Sequence, residues 1–483
     1  MIKTTFSARP TGRIWRQHQM EDIPQLAWMR PDQRLAMRAV AAVLPFAVSD
    51  YVLDELVDWG NIPDDPIFQL VFPQPEMLEP AAFQRLFALF HEDAPRAEID
   101  AVAREIQLSM NPHPAGQKAL NVPVFRGQRL EGVQHKYFDT ALFFPARGQT
   151  CLSYCTYCFR WPQFVGLDDQ KFAASESETL REYLLEQRRV ENVLFTGGDP
   201  LVMRARLLER YVEPLLRPGL EHVSSLRFGT KALAFDPHRF LDRPDSDELL
   251  RLFERIVASG KHLAVMAHYT HPRELETEAA RKALRRVIAT GAVVRCQAPL
   301  VRHINDEATV WARMWTEQVK LGAVPYYMFV ERDTGPRAWF EVPLGRANDI
   351  FRQAVSSVCG LARTVRGPSM SATPGKVVVD GVTSIGSERV FALRFLRARD
   401  TSWVGRPFFA RYDPDATWLD QLRPAFGERE FFFEPGLRRM VEAQRVREGY
   451  RERSSMLPAC EAAPAEEGSA SPFAGARAGT EFE

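Results

Sequence analysis

A chain of 483 residues, 45% of them hydrophobic, has ample material for a large core, and its 62 basic and 62 acidic side chains cancel. That balance removes the electrostatic ground for expecting nucleic acid or an anionic membrane as partner. No apolar run approaches the roughly 18 residues of a membrane span, and the start, MIKTTFSARPTGRIW, lacks the apolar stretch of a secretory signal, so a cytoplasmic protein is expected.

Residues 1–133 read as a helical N-terminal region. Apolar residues recur at helical spacing over 31–59 and again over 80–109, with Pro-rich breaks at 61–66 and 111–114. From Lys136 the rhythm changes to short apolar or β-branched runs, each followed by an amphipathic helical pattern. The predicted strands are 140–144 (TALFF), 192–196 (NVLFT), 225–229 (SLRFG), 262–267 (HLAVMA), 292–297 (AVVRCQ) and 324–330 (VPYYMFV). The predicted helices are 175–189, 201–216, 246–259, 274–290, 307–321 and 345–358. Consecutive β-α units imply an α/β fold with a parallel sheet, either open and doubly wound or a full or partial barrel. In each case chemistry belongs at the C-terminal ends of the strands. Residues 376–399 read as further strand and close a domain of 134–399. The span 400–455 is expected to be a capping segment and 456–483, small, polar and Pro/Gly-rich, a disordered tail.

Three of the six cysteines lie in CLSYCTYC, directly after the first predicted strand. Cys151, Cys155 and Cys158, spaced C-x3-C-x2-C, suit three irons of a [4Fe–4S] cubane with the fourth iron left open. An open iron can chelate the amino and carboxylate groups of S-adenosylmethionine (SAM), so that an added electron breaks its C–S bond. Tyr157 is placed to pack against the adenine. Structural zinc would call for a fourth ligand, commonly in a second C-x2-C pair, and no such pair exists. The strand 192–196 runs into Gly197, Gly198 and Asp199, where glycines admit a ligand close to the backbone and the carboxylate could take the SAM amino group. Taken alone, that run is an ordinary glycine turn opening a helix.

With these motifs in hand, the chain resembles the lysine 2,3-aminomutase family of radical SAM enzymes over roughly 105–380. The likeness runs through HKYFDTALFF, CLSYCTYCFR, VLFTGGDPL, RFGTKA, MAHYTHPREL, CQAPLVRHIND and VPYYMF followed by VPL. The resemblance implies a partial (β/α)6 barrel with a helical N-terminal region. It also implies pyridoxal 5′-phosphate (PLP) beside SAM, and an activity that moves an amino group between the α and β carbons of an L-amino acid. By the same resemblance a SAM-derived radical abstracts a β-hydrogen and the nitrogen migrates while PLP carries it.

The family's PLP lysine follows a proline and a glycine-rich turn, and its counterpart here is Lys376, after Pro374 and Gly375. A lysine of lowered pKa beside a permissive turn suits a Schiff base. The family's glycine run is reduced here to Gly375, and a competing alignment makes Asp380 the counterpart and leaves no PLP lysine. Arg160 matches the arginine that grips the substrate carboxylate, and Lys136 could help bind the PLP phosphate. In lysine-specific members two aspartates hold the distal ammonium, and their ungapped counterparts are Arg332 and Ser369. A cation there suits an acidic side chain, such as that of glutamate, whereas a one-residue slip would bring in Asp333 and restore some preference for a base.

His268 and His271 are expected to line the pocket, and Cys296 and Cys359 to be buried structural thiols. The family's cysteine-rich C-terminal zinc site is not expected, since only Cys460 lies in the tail. Expected partners are a small-molecule amino acid and a reducing electron donor, and a homo-oligomer stays open. Other readings are a radical SAM enzyme without PLP, a non-catalytic metal-binding scaffold, and a nucleic-acid modifier, the last lacking a basic, aromatic-studded face.

Overall fold

The computed structural model describes residues 12–111, 120–166 and 172–455. The predicted tail 456–483, with Cys460, lies outside them. The chain forms two compact units, Met1–Pro435 and Gly436–Glu483. Of the second, the described part belongs to the helix Glu434–Ser455.

The N-terminal region is helical with two interruptions. The pattern over 31–59 is cut at Pro45, which lacks a backbone donor. A helix, Pro31–Ala41, precedes the cut, and a strand and a π-helical turn, Val52–Leu56, follow it. That strand, β2 (Ala47–Ser49), pairs antiparallel with β1 (Ile14–Arg16). The pattern over 80–109 is two helices, Pro80–His91 and Arg96–Ser109, parted at Asp93, whose φ is 48°, and Pro95. A short hairpin follows, β3 (Val124–Phe125) with β4 (Gln128–Arg129).

The main sheet has eleven strands, hydrogen-bonded in chain order. They are β5 (Val133–Tyr137), β6 (Thr140–Phe143), β7 (Asn192–Phe195), β8 (Ser225–Thr230), β9 (His262–His268), β10 (Val293–Leu300), β11 (Val324–Val330), β12 (Arg366–Ser371), β13 (Gly375–Ile385), β14 (Glu388–Ala398) and β15 (Pro407–Arg411). From β6 to β12 all neighbours are parallel, and β5, β13, β14 and β15 add antiparallel edges. The six predicted strands are β6 to β11. The further strand expected at 376–399 is a hairpin of β13 and β14 turning through Gly386, whose φ of 61° suits glycine. Strand β12 went unpredicted because RGPSMS carries glycine and proline, both depleted in strands.

Helices between the parallel strands, among them Glu178–Glu186, Ala205–Leu216, Ser246–Ala258, Glu278–Ala289, Ala308–Lys320 and Leu344–Ser356, supply the crossovers that parallel pairing demands. Side-chain alternation along each strand sorts the two faces. On β8, Leu226 and Phe228 are fully buried in the main core, while Ser225, Arg227 and Gly229 look the other way. That other face, with Leu142, Leu194, Gly229, Met266, Gln297 and Phe329, lines the cavities described next. Among the described residues no helix is long and apolar enough to cross a membrane.

Candidate active site

The cysteine loop leaves the end of β6 and is held from outside by the N-terminal region. The N–H of Tyr154 donates to Ala47 O (2.9 Å), that of Thr156 to Leu70 O (2.9 Å), and the Thr156 hydroxyl to Gln69 O (2.7 Å). The N–H of Ser49 donates to the Ser153 hydroxyl (3.0 Å). Within the loop, turns close from Cys158 N to Cys155 O and from Trp161 N to Cys158 O, both 3.0 Å. Cys151, Cys155 and Cys158 are free thiols that line one cavity of about 310 Å³. Burial pushes the Cys155 thiol up to about 12, the Cys158 thiol up to about 11 and the Cys151 thiol well above its usual range.

Gly197, Gly198 and Asp199 line the same cavity, at the end of β7. The glycines are a steric requirement: a Cβ on Gly197, at φ 138°, would run into the Gln149 side chain, and one on Gly198 into the backbone of Thr150. The Asp199 N–H donates to Thr150 O at 2.8 Å, which fastens this turn to the residue preceding Cys151. The sequence reading gave the Asp199 carboxylate to the SAM amino group. In the structure its oxygens already accept from the Thr230 hydroxyl (2.8 Å to each), Lys231 N–H (2.8 Å) and Leu201 N–H (2.9 Å).

Tyr157 lines the cavity, with its hydroxyl 3.0 Å from that of Thr270. His268 lines it too, whereas His271 does not, and burial drives both imidazoles down to about 3, so both are neutral. Two groups here were missed in the sequence. Lys231 forms a buried ion pair with Glu274 at 2.6 Å. Glu331, 7% exposed, follows β11 on the cavity wall, where burial raises its carboxyl well above the usual range. The strand-end RFGTKA and the acid beside Arg332 were the available signals.

A second cavity of about 550 Å³ adjoins the first, and Arg160, Arg332, Thr196 and Gln297 belong to both linings. Lys376, at the start of β13, lines the second, its Nζ 3.8 Å from the Tyr327 ring centroid and 4.6 Å from that of Phe329. Burial, reinforced by Arg397, Arg366 and Arg227, holds its pKa well below the ordinary lysine value. Asp380, the competing counterpart, lines neither cavity and pairs with Arg394 at 2.7 Å. Lys136 lines the second cavity and donates to Ala372 O (2.5 Å); burial, with Arg399, Arg332 and Lys376 near it, lowers its pKa strongly. Arg227, Arg397 and Arg399 add to the positive lining.

Arg160 lies against the Phe144 ring (4.7 Å) with a long contact to the Thr196 hydroxyl (3.5 Å). No carboxylate among the described residues pairs with it, and burial lowers its pKa to about 10. Arg332 lies 3.7 Å from Asp333, which also lines the second cavity. Ser369 is fully buried, with its hydroxyl 3.4 Å from Met328 O, and lines neither cavity; Ser371 lines both. Cys296 is buried as expected, but Cys359 is exposed because it follows the helix Leu344–Ser356 rather than facing the sheet.

A protein of Aquifex aeolicus provisionally named L-lysine 2,3-aminomutase is 32% identical to this chain over 410 residues, 85% of this chain and 94% of the relative. The chain belongs to the lysine 2,3-aminomutase family. Within that family an Escherichia coli L-lysine 2,3-aminomutase is 24% identical over 68% of this chain and 94% of its own length. A Clostridioides difficile glutamate 2,3-aminomutase is 26% identical over 44% of this chain and 47% of its own length. No protein-family model matches the chain. Members named for a basic and for an acidic substrate both align, so the lysine 2,3-aminomutase family leaves the distal substrate group to be read from the cavity.

Proposed function

We propose that this chain is a radical SAM, PLP-dependent amino-acid 2,3-aminomutase whose substrate carries an acidic side chain, with β6 to β11 forming a partial barrel. The observation that carries the reading is the joining of two cavities, one walled by Cys151, Cys155 and Cys158 and the other by Lys376, through Arg160 and Arg332.

The residues fit the implied groups. Three thiols share one wall, and a cubane spreads its thiolates over separate irons. Lys376, of low pKa and packed on aromatic faces, suits a carbonyl cofactor. Lys136, Arg397 and Arg399 suit a phosphate on that cofactor. When bound, the cluster with SAM supplies a hydrogen-abstracting radical and PLP supplies a carbonyl that carries the migrating nitrogen.

The chain's own residues bind and orient. Arg160, planar and without a carboxylate partner among the described residues, holds the substrate α-carboxylate between the cavities. Arg332 faces the distal group; a cation about 4 Å from an ammonium costs about 4 kcal/mol at an effective dielectric near 20 and favours a carboxylate to a similar degree, and the Asp333 carboxylate 3.7 Å away offsets part of that preference. Tyr327 and Phe329 keep water from Lys376. Asp199 acts at one remove, bracing the turn that backs the cysteine loop. The electron comes from a separate donor, and the site is that of a cytoplasmic enzyme with residues 134–399 as its catalytic domain.

The test is anaerobic incubation of the reconstituted enzyme with SAM, PLP, a reductant and either glutamate or lysine. A β-amino acid from glutamate in preference to lysine is the expected product. 5′-Deoxyadenosine with no rearranged amino acid would overturn the aminomutase reading.

A further inference from the structure

A third cavity, of about 540 Å³, lies on the same face of the sheet toward the N-terminal ends of the parallel strands, and Arg227, Arg295 and Arg366 line it. It shares Arg227, Met266 and Tyr326 with the Lys376 cavity, but neither Lys376 nor any cysteine belongs to it. Arg295 and Arg366 stand over the same Tyr326 ring, 5.1 and 4.3 Å from its centroid. The Nε of Arg227 is buried without an acceptor. No aspartate or glutamate lines the cavity, and none of the three arginines has an ion pair among the described residues. The carboxylate whose field reaches Arg227, that of Asp139, is committed to Arg397.

Guanidinium groups do not lose their charge in proteins, and among the described residues no carboxylate takes up the N–H forks of these three. Three forks ask for at least three acceptor oxygens, which a phosphate supplies and one carboxylate does not. We infer that Arg227, Arg295 and Arg366 form a second binding site, for a phosphate-bearing small anion, which adjoins the Lys376 cavity through Arg227 and Tyr326. This inference stands on the third cavity alone and does not require the aminomutase reading.

The experiment titrates inorganic phosphate and pyrophosphate, at constant ionic strength, into the full-length protein by calorimetry, once without PLP and once after PLP loading and borohydride fixation. Saturable binding in both states, weakened at least tenfold by Arg295→Gln and by Arg366→Gln, is the expected result. Should either variant misfold by circular dichroism, Arg295→Lys keeps the charge, loses the fork, and is expected to weaken binding severalfold. Binding that vanishes on PLP loading would assign these arginines to the cofactor's own phosphate and overturn the second site. An absence of saturable binding, or equal binding by wild type and variants, would overturn it as well.

Discussion

The Thr230 hydroxyl lies 2.8 Å from both carboxylate oxygens of Asp199, joining the loop after β7 to the end of β8 behind the cysteine loop. Because Lys231 and Leu201 N–H groups point at the same carboxylate, Asp199→Asn turns an amide donor toward donors. Loss of charge-assisted bonds in a buried site costs about 2 kcal/mol. Denaturant unfolding of the apoprotein is expected to show that loss. Unchanged stability with weakened SAM binding would instead give the carboxylate to the ligand.

Gly198→Ala pushes a methyl group into the Thr150 backbone, which cannot swing aside as a side chain would. The expected result is fewer irons per chain after reconstitution while the helical circular dichroism signal is kept. Full iron loading in this variant would show that the turn does not set the cysteine loop.

How much of this was legible in the sequence differs from place to place. The cysteine spacing and the short apolar or β-branched runs of β6 to β11 are local signals, and local signals survive folding. What holds the cysteine loop is not local. Ala47, Gln69 and Leu70 act through backbone carbonyls, which any residue type carries, so the role of the N-terminal region left no trace in composition. The Asp199 carboxylate reads from sequence as a binding acid, and its bonds to Thr230 and Lys231 come from the next strand's end, which local sequence does not show. Ser369, the ungapped counterpart of a family aspartate, is fully buried and lines neither cavity, whereas Ser371 lines both, a difference that only sheet pairing and packing decide. The arginines of β8, β10 and β12 converge only once sheet register is known.

Lys376 provides a pH-dependent test. Its folded pKa lies below the ordinary value, so the unfolded chain binds a proton more readily than the native protein at neutral pH. Native stability therefore rises with pH until the unfolded lysine titrates near 10.4. Apoprotein carrying Lys376→Met is expected to be more stable than wild type at pH 7. The gap should narrow toward pH 10, by at most about 1.4 kcal/mol per pH unit. Parallel curves for the two proteins would place Lys376 in solvent.

The proposed function gives the distal preference to Arg332. Arg332→Ala should reduce kcat/KM for an acidic amino acid by about 10- to 100-fold, the loss expected for one charged hydrogen-bonded contact, with little effect on iron content. Arg160→Ala should impair acidic and basic substrates alike, since the proposed function gives it the α-carboxylate common to both. Equal loss on both substrates in the Arg332 variant would move that residue out of the distal pocket.

The central claim is that Lys376 anchors PLP beside an iron–sulfur cluster held by Cys151, Cys155 and Cys158. The most direct measurement is the absorbance spectrum of anaerobically reconstituted protein, wild type beside Lys376→Ala, with PLP added, before and after borohydride. The account predicts cluster absorbance in both proteins, and a lysine-bound PLP band only in wild type that borohydride abolishes. Cluster absorbance with no PLP band in wild type, or an unaltered band in Lys376→Ala, would contradict it.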